Sequence, residues 1–336
     1  MPSYHKRPVC IALALLGSIA FSAQATSFNA IYVFGDSLSD AGNAFIATSG
    51  AAPAPPYVNG EFSNGPVWVQ DLAGKFNVTK PTASLAGGTD YAVGGALSGN
   101  ANPGDLTSQL AAFKAANPVV NPNGLYTIWI GSNDLDAILA SNPSQAAATA
   151  GAAAVVGNID NAINTLAQEG AKNFLILTVP DLGKTPAALA TGPAGSAAAS
   201  SLSLFFDTTL VNGLSSANIP SLGAIAGADG LNLQVLDTYS LIDGIVANPN
   251  AFGFTNVTQP CLTGEVNDAG GTPCANPSQY LFWDQLHPTA AGAAITAQDA
   301  YLVLAPEPGT LTMMTVTGLG LAGMVVLRRR KTGLLN

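Results

Sequence analysis

An α/β fold with a mainly parallel sheet is predicted for the middle of this 336-residue chain. Three observations predict it: short apolar β-rich runs recur, helical stretches lie between them, and each run is apolar on both faces rather than alternating. The first run is Ala30 to Phe34, and Asp90 to Val93, Tyr126 to Ile130, Phe174 to Val179 and Leu233 to Leu236 follow. Each is closed by Gly, Pro, Asp or Asn, residues that turn the chain. Leu106 to Ala116 reads as a helix. The alanine-rich run from Pro143 to Glu169 is the clearest helix, with Asn142 as N-cap, Pro143 at the first helical position and Gly170 ending it. A last helix is expected from Thr289 to Leu302. Such alternation covers a sheet with helices on both faces, and ligands then bind at the carboxyl ends of the strands.

The ends read as addresses rather than as fold. Residues 1–25 carry His5-Lys6-Arg7, an apolar run from Val9 to Phe21 and the small-x-small close Ala23-Gln24-Ala25, a cleaved export signal. The alternative, a retained membrane helix, suffers from a short apolar run. Cys10 leaves with the peptide. At the other end Pro306-Glu307-Pro308 precedes an apolar stretch, Leu311 to Leu327, and then Arg328-Arg329-Arg330-Lys331. As a helix that stretch reaches only about 26 Å, a marginal span for a hydrocarbon core of about 30 Å. The basic cluster would hold the C-terminus on the cytoplasmic side. This order of features resembles the PEP-CTERM sorting signal of Gram-negative bacteria. That resemblance implies transient inner-membrane association through residues 311–327, an exosortase-like protease as partner, and delivery to the cell surface or beyond; a permanent C-terminal anchor is the alternative. Residues 26–305 remain as one globular domain.

Charge excludes one class of partner. Outside the two terminal basic clusters only five Lys and Arg face 20 Asp and Glu, a net charge near −15, so nothing would neutralise the phosphates of a nucleic acid. Cys261 and Cys274 lie in a Gly-, Pro- and Asn-rich segment. In an oxidising compartment they are expected to pair, closing a loop of about 14 residues with roughly 3 kcal/mol of stabilisation. Metal binding is the weaker alternative, since two thiolates without a spare histidine do not make a zinc site. Neither metal nor cofactor is expected.

Candidate chemistry gathers where strands end. Ser37 follows the first strand within Gly35-Asp36-Ser37-Leu38-Ser39-Asp40-Ala41-Gly42-Asn43. Gly94-Gly95 follow the second and Gly131-Ser132-Asn133-Asp134 the third. Far downstream, Asp284-Gln285-Leu286-His287-Pro288 holds the one histidine outside residue 5. Each segment alone reads as a turn; in this order they resemble the four blocks of the GDSL esterase and lipase family, the SGNH hydrolases. Phe62-Ser63-Asn64-Gly65-Pro66-Val67-Trp68 also resembles a stretch of the phospholipase and haemolysin-like branch. Asp90 departs from the pattern, where asparagine is usual. The resemblance spans roughly residues 28–303 and implies a three-layer α/β/α sandwich with a flavodoxin-like central sheet.

It also implies roles. Ser37 is the nucleophile, His287 the base that takes its proton, and Asp284 the carboxylate that orients the imidazole. The backbone N–H groups of Ser37 and Gly95 and the side-chain amide of Asn133 form the oxyanion hole. Asp36, Asp40 and Asp134 are expected to shape their own turns, and Glu61 and Trp68 to be a loop charge and a core aromatic, with the lining of a substrate groove as their alternative. The activity implied is hydrolysis of carboxylic esters, of acyl lipids or short chains. The alternatives are an acetylesterase acting on extracellular polysaccharide, and a catalytically silent surface protein.

Overall fold

The computed structural model describes residues 28–99, 102–117, 119–215, 231–264 and 270–305, so the readings of residues 1–25 and 306–336 lie outside the described residues. Among the described residues no helix is long and apolar enough to cross a membrane.

Four strands, β1 (Ile31–Gly35), β2 (Leu125–Trp129), β3 (Asn173–Leu177) and β4 (Asn232–Leu236), pair in that order and all in parallel. The helices are α1 (Asn43–Ala47), α2 (Trp68–Phe76), α3 (Leu106–Ala116), α4 (Ser132–Ala140), α5 (Gln145–Gln168), α6 (Pro186–Ala190), α7 (Pro193–Ser215), α8 (Thr238–Ala247) and α9 (Ala290–Leu304). A separate parallel pair joins β5 (Asn256–Pro260) to β6 (Tyr280–Phe282).

Successive strand residues face opposite ways, and each face has its own core. Ile31, Val33, Leu125, Leu175 and Leu177 pack with Trp68 and Leu72 of α2 and with Ala297 and Ala300 of α9. Phe34, Tyr126, Ile128, Phe174 and Ile176 pack on α3, α5 and α7. The result is a three-layer α/β/α sandwich.

The strand expected at Asp90 to Val93 is not one of the sheet's regular strands. It runs beside β1 as an irregular edge: Val33 N–H donates to Thr89 O at 3.1 Å, Tyr91 N–H to Val33 O at 2.8 Å and Val93 N–H to Gly35 O at 3.2 Å. The Asp90 carboxylate accepts from Ala92 N–H at 2.8 Å, a turn bond that competes with a regular ladder. Counting this edge as second in sequence gives the order 2-1-3-4-5 of a flavodoxin-like sheet.

Two helix starts also differ. Helix α5 begins at Gln145, capped by Ser144, whose hydroxyl accepts from Ala147 N–H. Asn142 instead takes φ 50° and stops the preceding helix, its N–H bonded to Leu139 O, and the following proline bars it from helical backbone. The final helix is capped by Thr289, which accepts from Gly292 N–H.

Glu61 is not a surface charge. It is buried with one oxygen unpartnered, and burial pushes its carboxyl up to about 7. Burial likewise pushes Asp36 up to about 7 and Asp207 up to about 8. A carboxyl whose folded pKa exceeds its unfolded value near 4 binds its proton more tightly when folded, so stability falls as pH rises between those two values. Asp284 acts oppositely, but only below about pH 4. Thermal unfolding is therefore expected at a higher temperature at pH 5 than at pH 8, with Asp207→Asn flattening the slope. A midpoint that rises from pH 5 to pH 8 would contradict this.

Candidate active site

The site is built on the end of β1. A Cβ at Gly35 would lie 2.3 Å from Trp129 O, so only glycine lets the two strands stay paired there. Gln109 holds the same residue from outside, accepting from Gly35 N–H at 2.9 Å and donating to Gly35 O at 2.7 Å. The chain then tightens: Ser39 and Asp40 N–H both donate to Asp36 O at 3.1 Å, which leaves Ser37 at the head of the turn.

The second half comes from the loop after β6. Trp283 N–H donates to His287 O at 2.7 Å and closes that loop. Asp284 Oδ1 accepts from Leu286 N–H at 2.8 Å and His287 N–H at 2.7 Å. Its Oδ2 lies 2.7 Å from His287 Nδ1, and His287 Nε2 lies 2.8 Å from Ser37 Oγ. An ionised carboxylate can only accept, so Nδ1 carries the proton and Nε2 accepts from the serine hydroxyl. Ser37, Asp284 and His287, up to 250 residues apart, thus form one buried hydrogen-bonded chain.

Electrostatics favour the charged imidazole. Burial alone would lower the His287 pKa, but the adjacent Asp284 carboxylate outweighs it and the net shift is upward. Burial alone would raise Asp284, yet His287 and the hydrogen bonds it accepts hold it below the usual carboxylate range.

Asn133, on the first turn of α4, lines one cavity with Ser37 and His287. Its amide donates to Ala96 O at 3.0 Å, which ties it to the Gly94-Gly95 turn. Gly95 itself is not part of that cavity's wall. It holds φ 78° with nothing within 4 Å of where a Cβ would sit, a conformation and an opening that suit glycine. Asp40 joins this turn to the nucleophile segment, accepting from Gly42, Asn43 and Ala44 N–H and also from Gly94 N–H at 2.8 Å. Asp90 adds Ala41 N–H at 2.9 Å.

Asp36 accepts from Leu38 N–H within its own turn, but Asp134 reaches another loop and accepts from Ser98 N–H and Oγ–H. Trp68 is a core residue whose indole N–H donates to Ser39 Oγ. Cys261 and Cys274 are joined as a disulfide. Cys261 and Leu262 N–H donate to Phe282 O and Trp283 O, so the linked segment flanks the chain leading into Asp284.

Sequence reasoning missed Tyr57, whose hydroxyl donates to Asp284 Oδ2 at 2.7 Å from 227 residues away. No spacing signals such a contact. The stretch from Phe62 did offer a signal: Phe62 lies against the His287 ring, Ser63 Oγ–H donates to Pro288 O, and Asn64 accepts from Ala290 N–H. Because His287 is alone among residues 26–305, its imidazole resonances can be followed by NMR without assignment. They are expected to titrate above 6.5, and lower in Asp284→Asn; titration below 6.5 in the unsubstituted protein would contradict the geometry.

Comparison with known proteins agrees on one family. The model of the GDSL-like lipase/acylhydrolase family matches residues 31–300. The chain is 27% identical to a phosphatidylcholine-sterol acyltransferase of Aeromonas hydrophila, over 86% of this chain and 95% of that one. It is 28% identical to a thermolabile hemolysin of Vibrio parahaemolyticus over 80% of this chain, which spans 62% of the hemolysin's length. A GDSL esterase/lipase of Arabidopsis thaliana is 26% identical over 94% of this chain and all of its own length. The chain belongs to the GDSL-like lipase/acylhydrolase family, hydrolases that act on ester bonds.

Proposed function

We propose that this protein is an exported serine esterase that cleaves carboxylic esters through an acyl-enzyme intermediate. One observation carries the reading: the hydrogen-bonded run from Asp284 through His287 to Ser37 Oγ. A neutral hydroxyl is a weak nucleophile, and His287 Nε2 stands where it can take that proton as Oγ attacks the ester carbonyl. Asp284 fixes the tautomer and stabilises the imidazolium. His287 then returns the proton to the leaving alcohol, and water repeats the sequence to release the acid.

Negative charge gathers on the former carbonyl oxygen. Ser37 N–H, Gly95 N–H and the Asn133 amide are its donors. The amide has two hydrogens, and the bond to Ala96 O uses one and aims the other.

Acyl lipids are the favoured esters, supported by similarity to a relative whose name specifies phosphatidylcholine and to a thermolabile hemolysin. Residues 1–25 serve as export signal, 26–305 as the hydrolase domain and 306–336 as a PEP-CTERM sorting tail, whose short apolar stretch holds the protein at the inner membrane until an exosortase-like protease removes it. The protein then works at the cell surface or beyond it.

Assays with p-nitrophenyl butanoate test the reading. Ser37→Ala and His287→Ala are each expected to lower kcat by at least ~1,000-fold. Asn133→Ala is expected to lower it roughly 100- to 1,000-fold with little change in unfolding temperature, as loss of one oxyanion donor does. Equal rates for the unsubstituted protein and Ser37→Ala would refute the assignment.

A further inference from the structure

The cavity that holds Ser37, Asn133 and His287 encloses only about 60 Å³, and its far wall is apolar, with Leu241, Ile242 and Ile245 of α8. Beside it lies a far larger groove of about 980 Å³ between α4 and α5 on one side and α6 and α7 on the other. Asp136, Thr185 and Leu286 line both spaces and form the neck between them. Leu286 precedes His287 in the chain, and through these shared residues the groove adjoins the cavity that holds Ser37 and His287.

Chemistry identifies what fits the groove. Leu139, Ala148, Ala188, Ala198, Leu202 and Phe205 line it, and Phe205 is 36% exposed, a large apolar ring turned to solvent. Asp136 alone among its described lining residues ionises, and burial pushes it up to about 6. The hydroxyls of the lining do not aim at a polar ligand. Thr149 donates to Gln145 O and Ala146 O, Thr185 to Leu182 O, Thr191 to Ala188 O and Ser201 to Ala197 O, all within or next to their own helices. The Asn142 and Gln145 amides and the Asp136 carboxyl also line the groove, but most of its wall is methyl, methylene and ring carbon. A polar or sugar ligand needs convergent hydrogen-bonding groups, and the hydroxyls of this lining are already used.

We infer that the groove between α4, α5, α6 and α7 holds the long unbranched acyl chain of the ester, entering past Leu286 from the carbonyl at Ser37. The inference rests on the esterase reading of Ser37 and His287. The acyl half suits a long-lived site because it stays bonded to Ser37 through both halves of the reaction, whereas the alcohol departs after the first.

The test uses p-nitrophenyl esters from acetate to dodecanoate below their aggregation limits, alongside alkyl acetates of increasing alcohol length. In the unsubstituted protein kcat/KM is expected to climb about two- to fourfold per acyl methylene, roughly 60- to 4,000-fold over the six methylenes from butanoate to decanoate, with no such climb along the alcohol. Ala198→Trp from α7 and Thr149→Trp from α5, which fill the groove from opposite walls, are expected to cut the decanoate-to-acetate ratio at least ~10-fold. Ala198→Leu, a mild change at an exposed helical position, keeps the test alive if a tryptophan variant does not fold. A flat or falling acyl series with active short esters would overturn the groove and leave the esterase standing. So would a climb along the alcohol, or ratios that no folded variant alters. No hydrolysis above Ser37→Ala would remove both.

Discussion

The buried hydrogen-bonded run from Asp284 to Ser37 is the constraint that the rest of the molecule serves. It joins a turn near the start of the chain to a loop near its end, and its two distances, 2.7 and 2.8 Å, leave little freedom for either element to drift. The parallel sheet makes this possible. Every strand delivers its carboxyl end to the same edge, so the turn after β1 and the helix start after β2 meet there without a long loop. The loop after β6 is brought to that edge by separate means: backbone bonds from the disulfide segment, the cap at Thr289, and the braces from Ser63 and Asn64.

Carboxyl groups do much of the stitching, at an electrostatic cost. Asp40 accepts four backbone N–H groups and ties the nucleophile segment to the Gly94-Gly95 turn, while Asp90 ties Ala41 and Ala92. Burial raises the pKa of both, and their mutual repulsion adds to the shift at Asp90. Where the family's usual asparagine would be neutral, this chain keeps an acid. Asp284 is the opposite case: surrounded by donors from Tyr57, Leu286 and His287, it stays ionised although buried. Burial would lower the His287 pKa, but the adjacent ionised Asp284 carboxylate outweighs burial and gives His287 its upward shift and its fixed tautomer.

The sheet was legible in the sequence because a strand buried on both faces writes a continuous apolar run; β1, β2 and β4 match such runs to within a residue at each end, while β3 stops two residues before the expected Val179. The strand expected at Asp90 was misread for a physical reason: its side chain bonds the backbone two residues on, and Gly94-Gly95 turns the chain away. Asn142 was misread because a residue before proline and a helix cap share the same letters. Ser37, Gly95 and Asn133 stood out because each follows an apolar run, Asp284 and His287 because that histidine is the one beyond residue 5 and an acid precedes it by three, and the four blocks keep their order. Tyr57 and the groove beyond Leu286 were invisible, since each depends on contacts between elements far apart in sequence. Glu61 was hidden too, because burial of a single charged residue in a loop leaves no periodic trace.

Covalent labelling with a p-nitrophenyl alkylphosphonate, mapped by peptide mass spectrometry, tests most directly whether the imidazole activates the hydroxyl. The expected result is one label, on Ser37, formed at a rate that rises with pH as His287 loses its proton, and absent in His287→Ala. Labelling of a different serine, or of Ser37 at an undiminished rate without the histidine, would contradict it.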